Sequence, residues 1–346
     1  MPASFQSLDI NDSPRQADRS SLLGCVFVAM ARLLELVYDL FAGLVSSIKG
    51  CFRPGTTSVN GRTYKTIRPL GEGGFSYVYL VQETAPRRSL FALKKVRLQL
   101  PEHEDRFQKE IEAHKSVDSP HVLKLVDYEI VRDSKGTEGL LLLPYHHLGT
   151  VQDLIDNTPP RDFIPMPKII KFAIGIAKGL QAFHTHNPPL AYRDLKPANV
   201  LIGEEDLVVL TDLGSVAEAR VRITNRRDAT VLQEHCAETV TATYRAPELF
   251  DPPTGSLVDE RSDVWALGCT LYAMAYKSPP FDGTLTAVVN SRVRFPLGSD
   301  PYGQPFRNLI ESMLVTSPAS RPTIDVILSK CEALQSALGL ASDSDV

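Results

Sequence analysis

The sequence has few cysteines, and their spacing excludes the arrangements that stabilise small secreted proteins. Five occur among 346 residues, and no two of them stand at C-x-x-C spacing. They are Cys25, Cys51, Cys236, Cys269 and Cys331. An odd number without close pairs argues against a disulfide framework or a structural zinc site, and it favours a reducing compartment.

A strong charge imbalance and a long hydrophobic run are also absent. The formal net charge of -4 gives no reason to expect nucleic-acid binding. The longest uncharged run near the start, residues 20–31, is too short to span a bilayer. About twenty polar residues precede it and no clear cleavage site follows, so we expect no cleavable signal peptide. The composition, 43% hydrophobic and 23% charged, is that of a globular protein of one large or two small domains.

The first fifty residues divide into two parts. Residues 1–20 are polar, and we predict that they form a disordered tail. On a helix over residues 21–50, Arg32, Glu35 and Asp39 share one narrow face. A wide apolar face lies opposite, formed by Leu23, Met30, Leu34, Val37, Phe41, Leu44 and Ile48. This pattern predicts an amphipathic helix in a membrane interface, with packing on the protein itself or on a partner as the alternative.

Lipid attachment would strengthen the membrane binding of this helix, which carries little positive charge. Residue 2 is Pro2 rather than glycine, which excludes N-myristoylation. Cys25 and Cys51 flank the helix, and we expect palmitoylation at both to supply the anchoring. Residues 51–60 are predicted to be a linker.

The most informative stretch is residues 191–214, AYRDLKPANVLIGEEDLVVLTDLG. Two short apolar runs, residues 200–202 and 207–210, are joined by a polar turn and predict a β-hairpin. Such a hairpin places the residues before its first strand beside Asp212, which follows its second strand.

Four polar side chains would then meet at the mouth of this hairpin. Asn199 and Asp212 offer the hard oxygen ligands that Mg²⁺ prefers, with phosphate oxygens completing its shell. Asp194 is placed to orient a hydroxyl nucleophile, and Lys196 to steady a phosphoryl group in transfer. Any one of these residues alone would more simply be a solvated charge in a turn.

These motifs resemble those of protein kinases. Asp194 and Asn199 have the H-R-D-x-x-x-x-N spacing, and Asp212-Leu213-Gly214 resembles D-F-G. The segments GEGGFSYVYL, DLKPANVLI, TYRAPELF and DERSDVWALGCTLYAM are similar to the Numb-associated kinase family, and within it to a lipid-anchored branch with fungal members. The resemblance covers about residues 61–337.

The resemblance implies an α+β, bilobal protein-kinase-like fold. A small β-rich N-lobe (residues 61–144) precedes a larger helical C-lobe (residues 149–337), and a frayed tail over residues 338–346 follows. The implied activity is protein serine/threonine phosphorylation with ATP and Mg²⁺ on protein substrates, without nucleic acid. The implied location is the cytosolic face of an internal membrane, Golgi or vacuole.

The resemblance also assigns the nucleotide site. Lys94 matches the lysine that pairs with the α and β phosphates, and Glu110 is its expected partner, with Glu112 as the runner-up. Pro144 has no N–H, so His146 is the expected hinge donor to adenine. In the glycine-rich loop Ser76 replaces the third glycine of the motif. The residues expected at the nucleotide are Leu70, Gly71, Gly73, Gly74, Phe75, Val78, Ala92, Lys94, Glu110, His146, Asn199, Leu201 and Asp212.

Three further charged residues are assigned structural roles by the resemblance. Glu248, in an A-P-E motif, is expected to pair with a buried Arg321, and Asp263 to brace the catalytic loop. Residues 215–244 correspond to an activation segment in which Thr243 and Tyr244 are candidate phosphorylation sites. Arg193 would be the cationic partner of a phosphate there.

Two positions depart from the family pattern. Tyr192 replaces the histidine of H-R-D and Leu213 the phenylalanine of D-F-G, and both are expected to stack with His114 in an internal apolar spine. The rival hypothesis is a membrane-anchored pseudokinase scaffold, and a third is an adaptor that acts through residues 21–50 alone. The charged set is complete, which favours the active enzyme. Its members are Lys94, Glu110, Asp194, Asn199 and Asp212.

Overall fold

The computed structural model describes residues 55–74, 76–84, 87–134, 136–290, 293–296 and 300–339. The predicted disordered tail, the amphipathic helix with Cys25 and Cys51, and Phe75 of the glycine-rich loop lie outside these residues.

The first lobe is a six-stranded antiparallel sheet with a helix packed on one face. The strand order is β1-β2-β3-β4-β6-β5, and the strands are β1 (Thr56–Val59), β2 (Arg62–Glu72), β3 (Ser76–Glu83), β4 (Leu90–Arg97), β5 (Asp127–Asp133) and β6 (Gly136–Pro144). Both faces of β6 are buried, which explains its unbroken run of leucines. Leu140 and Leu142 pack in one apolar cluster, whereas Leu141 and Leu143 pack against helix α1 (Pro101–Ser116) in another.

The sheet begins at Thr56, inside the range predicted as a linker. Asn60 and Gly61 form a two-residue turn with φ of 45° and 77°, the conformation that Asn-Gly favours in tight hairpins. The side-chain Nδ2 of Asn60 donates to Asp127 Oδ1 at 2.6 Å and to the Tyr128 carbonyl at 3.0 Å. The Asn-Gly pair was therefore an available signal for β1 that the boundary at residue 61 overlooked.

The second lobe is helical around a nearly continuous apolar core. Its helices are α2 (Val151–Asn157), α3 (Met166–His184), α4 (Arg226–Thr239), α5 (Pro247–Phe250), α6 (Arg261–Tyr276), α7 (Leu285–Asn290), α8 (Gly303–Met313) and α9 (Ile324–Ala337). Residues 169–184, whose apolar side chains recur at the spacing that predicts a core helix, lie within α3, and α6 is buried along most of its length. Within the described part of the chain, no helix combines the length and apolarity needed to cross a membrane.

Short strand pairs position the loops between the lobes. They are β7 (Leu190–Ala191) with β10 (Ala217–Glu218), β8 (Val200–Ile202) with β9 (Val208–Leu210), and β11 (Val221–Arg222) with β12 (Leu257–Val258). The pair β8–β9 is the predicted hairpin, with Val200 opposite Leu210. Leu123 N donates to the Leu210 carbonyl at 2.9 Å, so the hairpin is fixed to the chain that enters β5.

The activation segment contains a helix that the sequence analysis did not predict. In α4, Leu232 and Cys236 lie one turn apart and both are buried. The Asn225 side chain accepts a hydrogen bond from Asp228 N at 3.1 Å and caps the first turn. Because most of the other residues of α4 are polar, the segment has the composition of a solvated loop.

Candidate active site

Three charged side chains from distant parts of the chain meet at the boundary between the lobes. Lys94 of β4 places its Nζ 2.7 Å from Glu110 Oε1 of α1 and 2.7 Å from Asp212 Oδ1, which follows β9. The predicted ion pair between Lys94 and Glu110 is confirmed, and Glu112 is exposed on another face of α1. Lys95 points to the opposite face as strand alternation requires, and its Nζ donates to Thr57 Oγ1 at 2.9 Å.

The pair of carboxylates keeps Lys94 charged. Burial alone would lower the pKa of the Lys94 ammonium, but Asp212 and Glu110 raise it above its usual value. Lys94 in turn lowers the pKa of Asp212. Burial raises the pKa of Glu110, and Lys94 opposes that shift. Lys94 and Asp212 are therefore ionised at neutral pH, as phosphate and cation binding require.

Backbone strain is found at Asp212. Its φ of 57° lies in the left-handed region, which a residue with a side chain seldom adopts. Such strain persists only where the surroundings enforce it, and it is common at functional sites. The carboxylate remains 48% exposed, so it opens onto the cleft while one of its oxygens contacts Lys94.

The Asp194 carboxylate is held by three neighbours. Lys196 Nζ lies 2.8 Å from Asp194 Oδ2, and Asn199 Nδ2 donates to the same oxygen at 3.0 Å and to the Asp194 carbonyl at 2.8 Å. Thr241 donates to Asp194 Oδ1 through its backbone N–H at 2.9 Å and its hydroxyl at 2.7 Å. Lys196 also donates to Thr241 Oγ1 at 2.7 Å.

Thr241 is the site residue that the sequence analysis missed. It lies 47 residues after Asp194 in the sequence. Other threonines lie near it, and no local motif distinguishes Thr241 from them. The only available signal was its position a few residues before the A-P-E motif. Contacts with both Asp194 and Lys196 make it a positioning residue for the carboxylate.

The predicted bracing residues occupy their expected places. The fully buried Asp263 accepts from Tyr192 N at 2.7 Å and Arg193 N at 2.8 Å, and His184 Nε2 lies 3.0 Å from it. Asp263 thus fixes the backbone immediately before Asp194. A second brace is the buried pair of Arg321 with Glu248, bidentate at 2.7 and 3.0 Å.

Arg193 contacts the activation segment through backbone carbonyls. Its guanidinium is buried and donates to the carbonyls of Ala219 at 3.1 Å and Glu218 at 3.4 Å. It therefore ties the start of the activation segment to the residue that precedes Asp194. Tyr244, one of the two candidate phosphorylation sites, is also buried, and burial raises the pKa of its phenol.

The departures from the family pattern are accommodated in the core. Tyr192 and Leu213 are both buried in the core of the helical lobe. The Tyr192 ring lies 5.7 Å from Phe183, and its hydroxyl donates to the Thr211 carbonyl. His114 lies 2.8 Å from the Leu123 carbonyl through Nδ1, and burial lowers its pKa to about 4, so the ring is neutral.

The walls expected for a nucleotide come from both lobes. Ala92 of β4 and Leu201 of β8 pack against one apolar cluster that contains Leu143. His146, the expected hinge donor, follows β6 and is half-buried. Ile202 and the chain at Gly149 are joined by a hydrogen bond of 2.9 Å, which holds the hinge against β8.

The glycine-rich loop leaves open space around two of its glycines. Gly71 pairs with Val78, the partly buried Leu70 precedes it, and Gly73 N donates to the Ser76 carbonyl at 2.8 Å. A Cβ atom added at Gly71 or Gly74 would meet no other atom within 4 Å. Backbone N–H groups without side chains in front of them suit a phosphate ligand.

The donor set also fits a magnesium ion. Asn199 directs its amide nitrogen to Asp194, which leaves the amide oxygen as the ligand atom it would present to a cation. Asp212 supplies an ionised, half-exposed carboxylate. Mg²⁺ takes one or two such protein ligands and completes its shell with phosphate oxygens and water.

Comparison with known proteins agrees with this geometry. A family model described as protein kinase domain matches residues 64–331. The chain is 36% identical to mouse serine/threonine-protein kinase 16 over 288 residues, which cover 81% of the chain and 93% of the mouse protein. It is 29% identical to serine/threonine-protein kinase ppk13 of Schizosaccharomyces pombe, covering 88% of the chain and 98% of that protein. Identity to serine/threonine-protein kinase ENV7 of Saccharomyces cerevisiae is 27%, covering 87% of the chain and all of that protein.

Proposed function

This chain belongs to the protein kinase family and is a protein serine/threonine kinase, and on that premise we propose that it transfers the γ-phosphoryl group of Mg-ATP to protein hydroxyls while tethered to a membrane. Autophosphorylation is part of the proposal. The observation that supports catalysis best is the Asp194 carboxylate, held by Lys196, Asn199 and Thr241 beside the Lys94–Asp212 pair.

Each side chain has a distinct part in the transfer. Asp194 orients the substrate hydroxyl and accepts its proton as the oxygen attacks. Lys196 balances the charge beside the group in transfer. Lys94, fixed by Glu110, pairs with the α and β phosphates. Asn199 and Asp212 would hold Mg²⁺, which supplies neutralisation of the phosphate charge when bound.

The test of this mechanism is the substitution Asp194→Asn. It keeps the size of the side chain and its contact with Thr241 N, but it removes the proton acceptor. We expect incorporation of label from γ-labelled ATP into a protein substrate to fall by about 10²–10⁴-fold, with the melting curve unchanged. Asp118→Asn, at an exposed ion pair with Lys124, is the matched control and should keep wild-type activity. Equal labelling by Asp194→Asn and wild type would show that Asp194 is not the base.

Membrane tethering is proposed from the sequence of residues 21–50, supported by the lipid-anchored branch that the motifs resemble. Palmitate on Cys25 and Cys51 would hold the enzyme on the cytosolic face of the Golgi or vacuolar membrane. The Cys25→Ser, Cys51→Ser double variant should move from the membrane to the soluble fraction of lysed cells and lose hydroxylamine-sensitive acyl label. Wild-type fractionation of the double variant contradicts the lipid anchor.

A further inference from the structure

The first four strands of the sheet carry a charge opposite to that of the whole chain. Residues 56–100 contain eight lysines and arginines but only Glu72 and Glu83 as acidic residues, within a chain of net charge -4. Lys94 is engaged in the active site and Lys95 on the opposite face of β4. The remaining basic side chains have no part in the proposed chemistry.

Three of these side chains gather at one end of the sheet. Lys65 of β2 is the register partner of Gln82 of β3, and Gln82 Nε2 donates to the Arg88 carbonyl at 3.1 Å. Glu83 N donates to the Ser89 carbonyl at 2.9 Å and Thr84 N donates to the Thr63 carbonyl at 3.0 Å, which places the chain leaving β3 and the chain entering β4 at this end of β2. Lys65, Arg87 and Arg88 therefore lie close together, and we call these three residues the basic patch.

The positive charge of the basic patch is not neutralised within the described protein. All three side chains are exposed, and among the residues that the structure describes none of them forms an ion pair. Glu83 is near in sequence, but its register partner is Tyr64, so its side chain leaves the sheet on the face opposite to that of Lys65. Other surface arginines of this chain are paired, for example Arg132 with Glu104 and Arg220 with Glu260.

The basic patch also lies where the N-terminal region joins the sheet. Thr56, the first residue of β1, is the register partner of Lys65. Five residues separate residue 50, the end of the predicted membrane helix, from Thr56. Even a fully extended tether of this length reaches only about 20 Å. A helix held in a membrane interface would therefore keep Lys65 within reach of the same surface.

The N-terminal region itself supplies no net electrostatic attraction. Residues 1–54 contain five basic and five acidic side chains. The predicted helix would bury apolar area in a bilayer, but it would not distinguish an anionic surface from a neutral one. The basic patch has the charge that this region lacks.

We propose that Lys65, Arg87 and Arg88 bind the anionic headgroups of the membrane to which the N-terminal region is tethered. The proposal rests on the membrane tethering put forward above and adds a second contact to it. One contact buries apolar side chains and the other pairs cations with lipid phosphates and carboxylates. Two contacts fix the orientation of the first lobe on the membrane, which a single flexible tether does not.

The expected size of the effect follows from the number of cations. Each lysine or arginine near an anionic leaflet strengthens binding roughly fivefold, so three of them contribute roughly a hundredfold. Because the attraction acts through a screened surface potential, it weakens as salt is raised.

The experiment measures partition of the purified, unacylated full-length chain into vesicles of phosphatidylcholine with and without phosphatidylserine. We expect wild type to prefer the anionic vesicles by roughly a hundredfold. The triple variant Lys65→Glu, Arg87→Glu, Arg88→Glu should lose this preference and keep its binding to neutral vesicles. The matched control reverses three other exposed, unpaired arginines of the described chain, Arg222, Arg226 and Arg227, with the same change of net charge, and should keep the preference.

The outcomes separate the two proposals. Loss of the preference for anionic vesicles in the patch variant, with the preference kept in the control, supports the basic patch. Failure of every variant to bind neutral vesicles would count against the apolar tether and not against the basic patch. The basic patch is overturned if wild type shows no preference for anionic vesicles, if the patch variant keeps the preference, or if the control loses it to the same extent as the patch variant. If the patch variant phosphorylates a soluble peptide at the wild-type rate, it is folded. If it does not, the milder triple variant Lys65→Gln, Arg87→Gln, Arg88→Gln is used in its place.

Discussion

At the scale of single residues, His114 couples the stability of this enzyme to pH. The ring is buried beside the Lys94–Asp212 pair, Nδ1 contacts the Leu123 carbonyl, and Nε2 has no hydrogen-bond partner among the described residues. Since a carbonyl only accepts, Nδ1 carries the hydrogen of the neutral ring. Burial lowers the pKa of His114 from 6.5 to about 4, and Lys94 adds to the shift. The folded protein therefore disfavours protonation of His114.

The direction of the pH dependence follows from these two values. Between pH 4 and 6.5 the unfolded chain binds a proton at His114 that the folded chain does not, so the free energy of unfolding falls as the pH falls through this window. The full effect is about 3 kcal/mol. We expect His114→Leu to remove this part of the dependence in urea unfolding at pH 4.5, 5.5 and 6.5. His147→Leu, which replaces an exposed ring, is the control and should show the same dependence of unfolding free energy on pH as wild type. The same dependence in His114→Leu would contradict the prediction, because it would mean that the buried ring is protonated in the folded protein.

Site residues that lie close together in the sequence could be predicted, whereas a site residue that depends on long-range folding could not. Asp194, Lys196 and Asn199 lie within six residues of one another, and Asp212 follows a recognisable hairpin. Thr241 has no such neighbour, because its contact with Asp194 depends on how the whole activation segment folds back. The carbonyl contacts of Arg193 were missed for a related reason, since its partners Glu218 and Ala219 accept through the backbone and give no side-chain signal.

At the scale of elements, strands and helices with a strong apolar pattern were predicted, and those with a weak pattern were not. The β8–β9 hairpin and α3 have apolar runs that leave little choice of structure. In contrast, β1 buries only Val59 fully and depends on the Asn60-Gly61 turn for its place in the sheet. Helix α4 buries two side chains, Leu232 and Cys236, on a mostly polar background. Tertiary packing and capping decide such elements, and hydrophobic periodicity alone does not.

Elements that were not predicted also make contacts around the site. Arg106 of α1 forms an ion pair with Glu238 of α4, which connects the helix carrying Glu110 to the activation segment. The pair is largely exposed, and exposed pairs contribute at most about 1 kcal/mol. The buried contacts of Arg193 and Thr241 are therefore the firmer connections between the activation segment and the catalytic loop.

At the scale of the whole molecule, the site exists only because two lobes meet. Lys94 and Glu110 belong to the sheet and helix of the first lobe, whereas Asp194, Asn199 and Asp212 follow elements of the second lobe. The Lys94–Asp212 contact joins residues 118 positions apart. A ligand that contacts groups of both lobes should therefore stabilise both lobes against unfolding. Comparing this stabilisation between wild type and single-residue variants shows which residues the ligand contacts.

Substitution of Asp212 separates metal binding from catalysis. A nucleotide at 100 times its Kd stabilises a protein by about 2.7 kcal/mol, and each tenfold loss of affinity removes about 1.4 kcal/mol. For wild type we expect a non-hydrolysable ATP analogue to stabilise more with Mg²⁺ than with EDTA. Asp212→Asn should lose the Mg²⁺ increment in melting curves because its anionic ligand is gone, while Lys94 stays paired with Glu110. Asp194→Asn, which changes the base and not a metal ligand, should keep the increment. An increment that survives in Asp212→Asn, or that both variants lose equally, would place the metal elsewhere in the cleft.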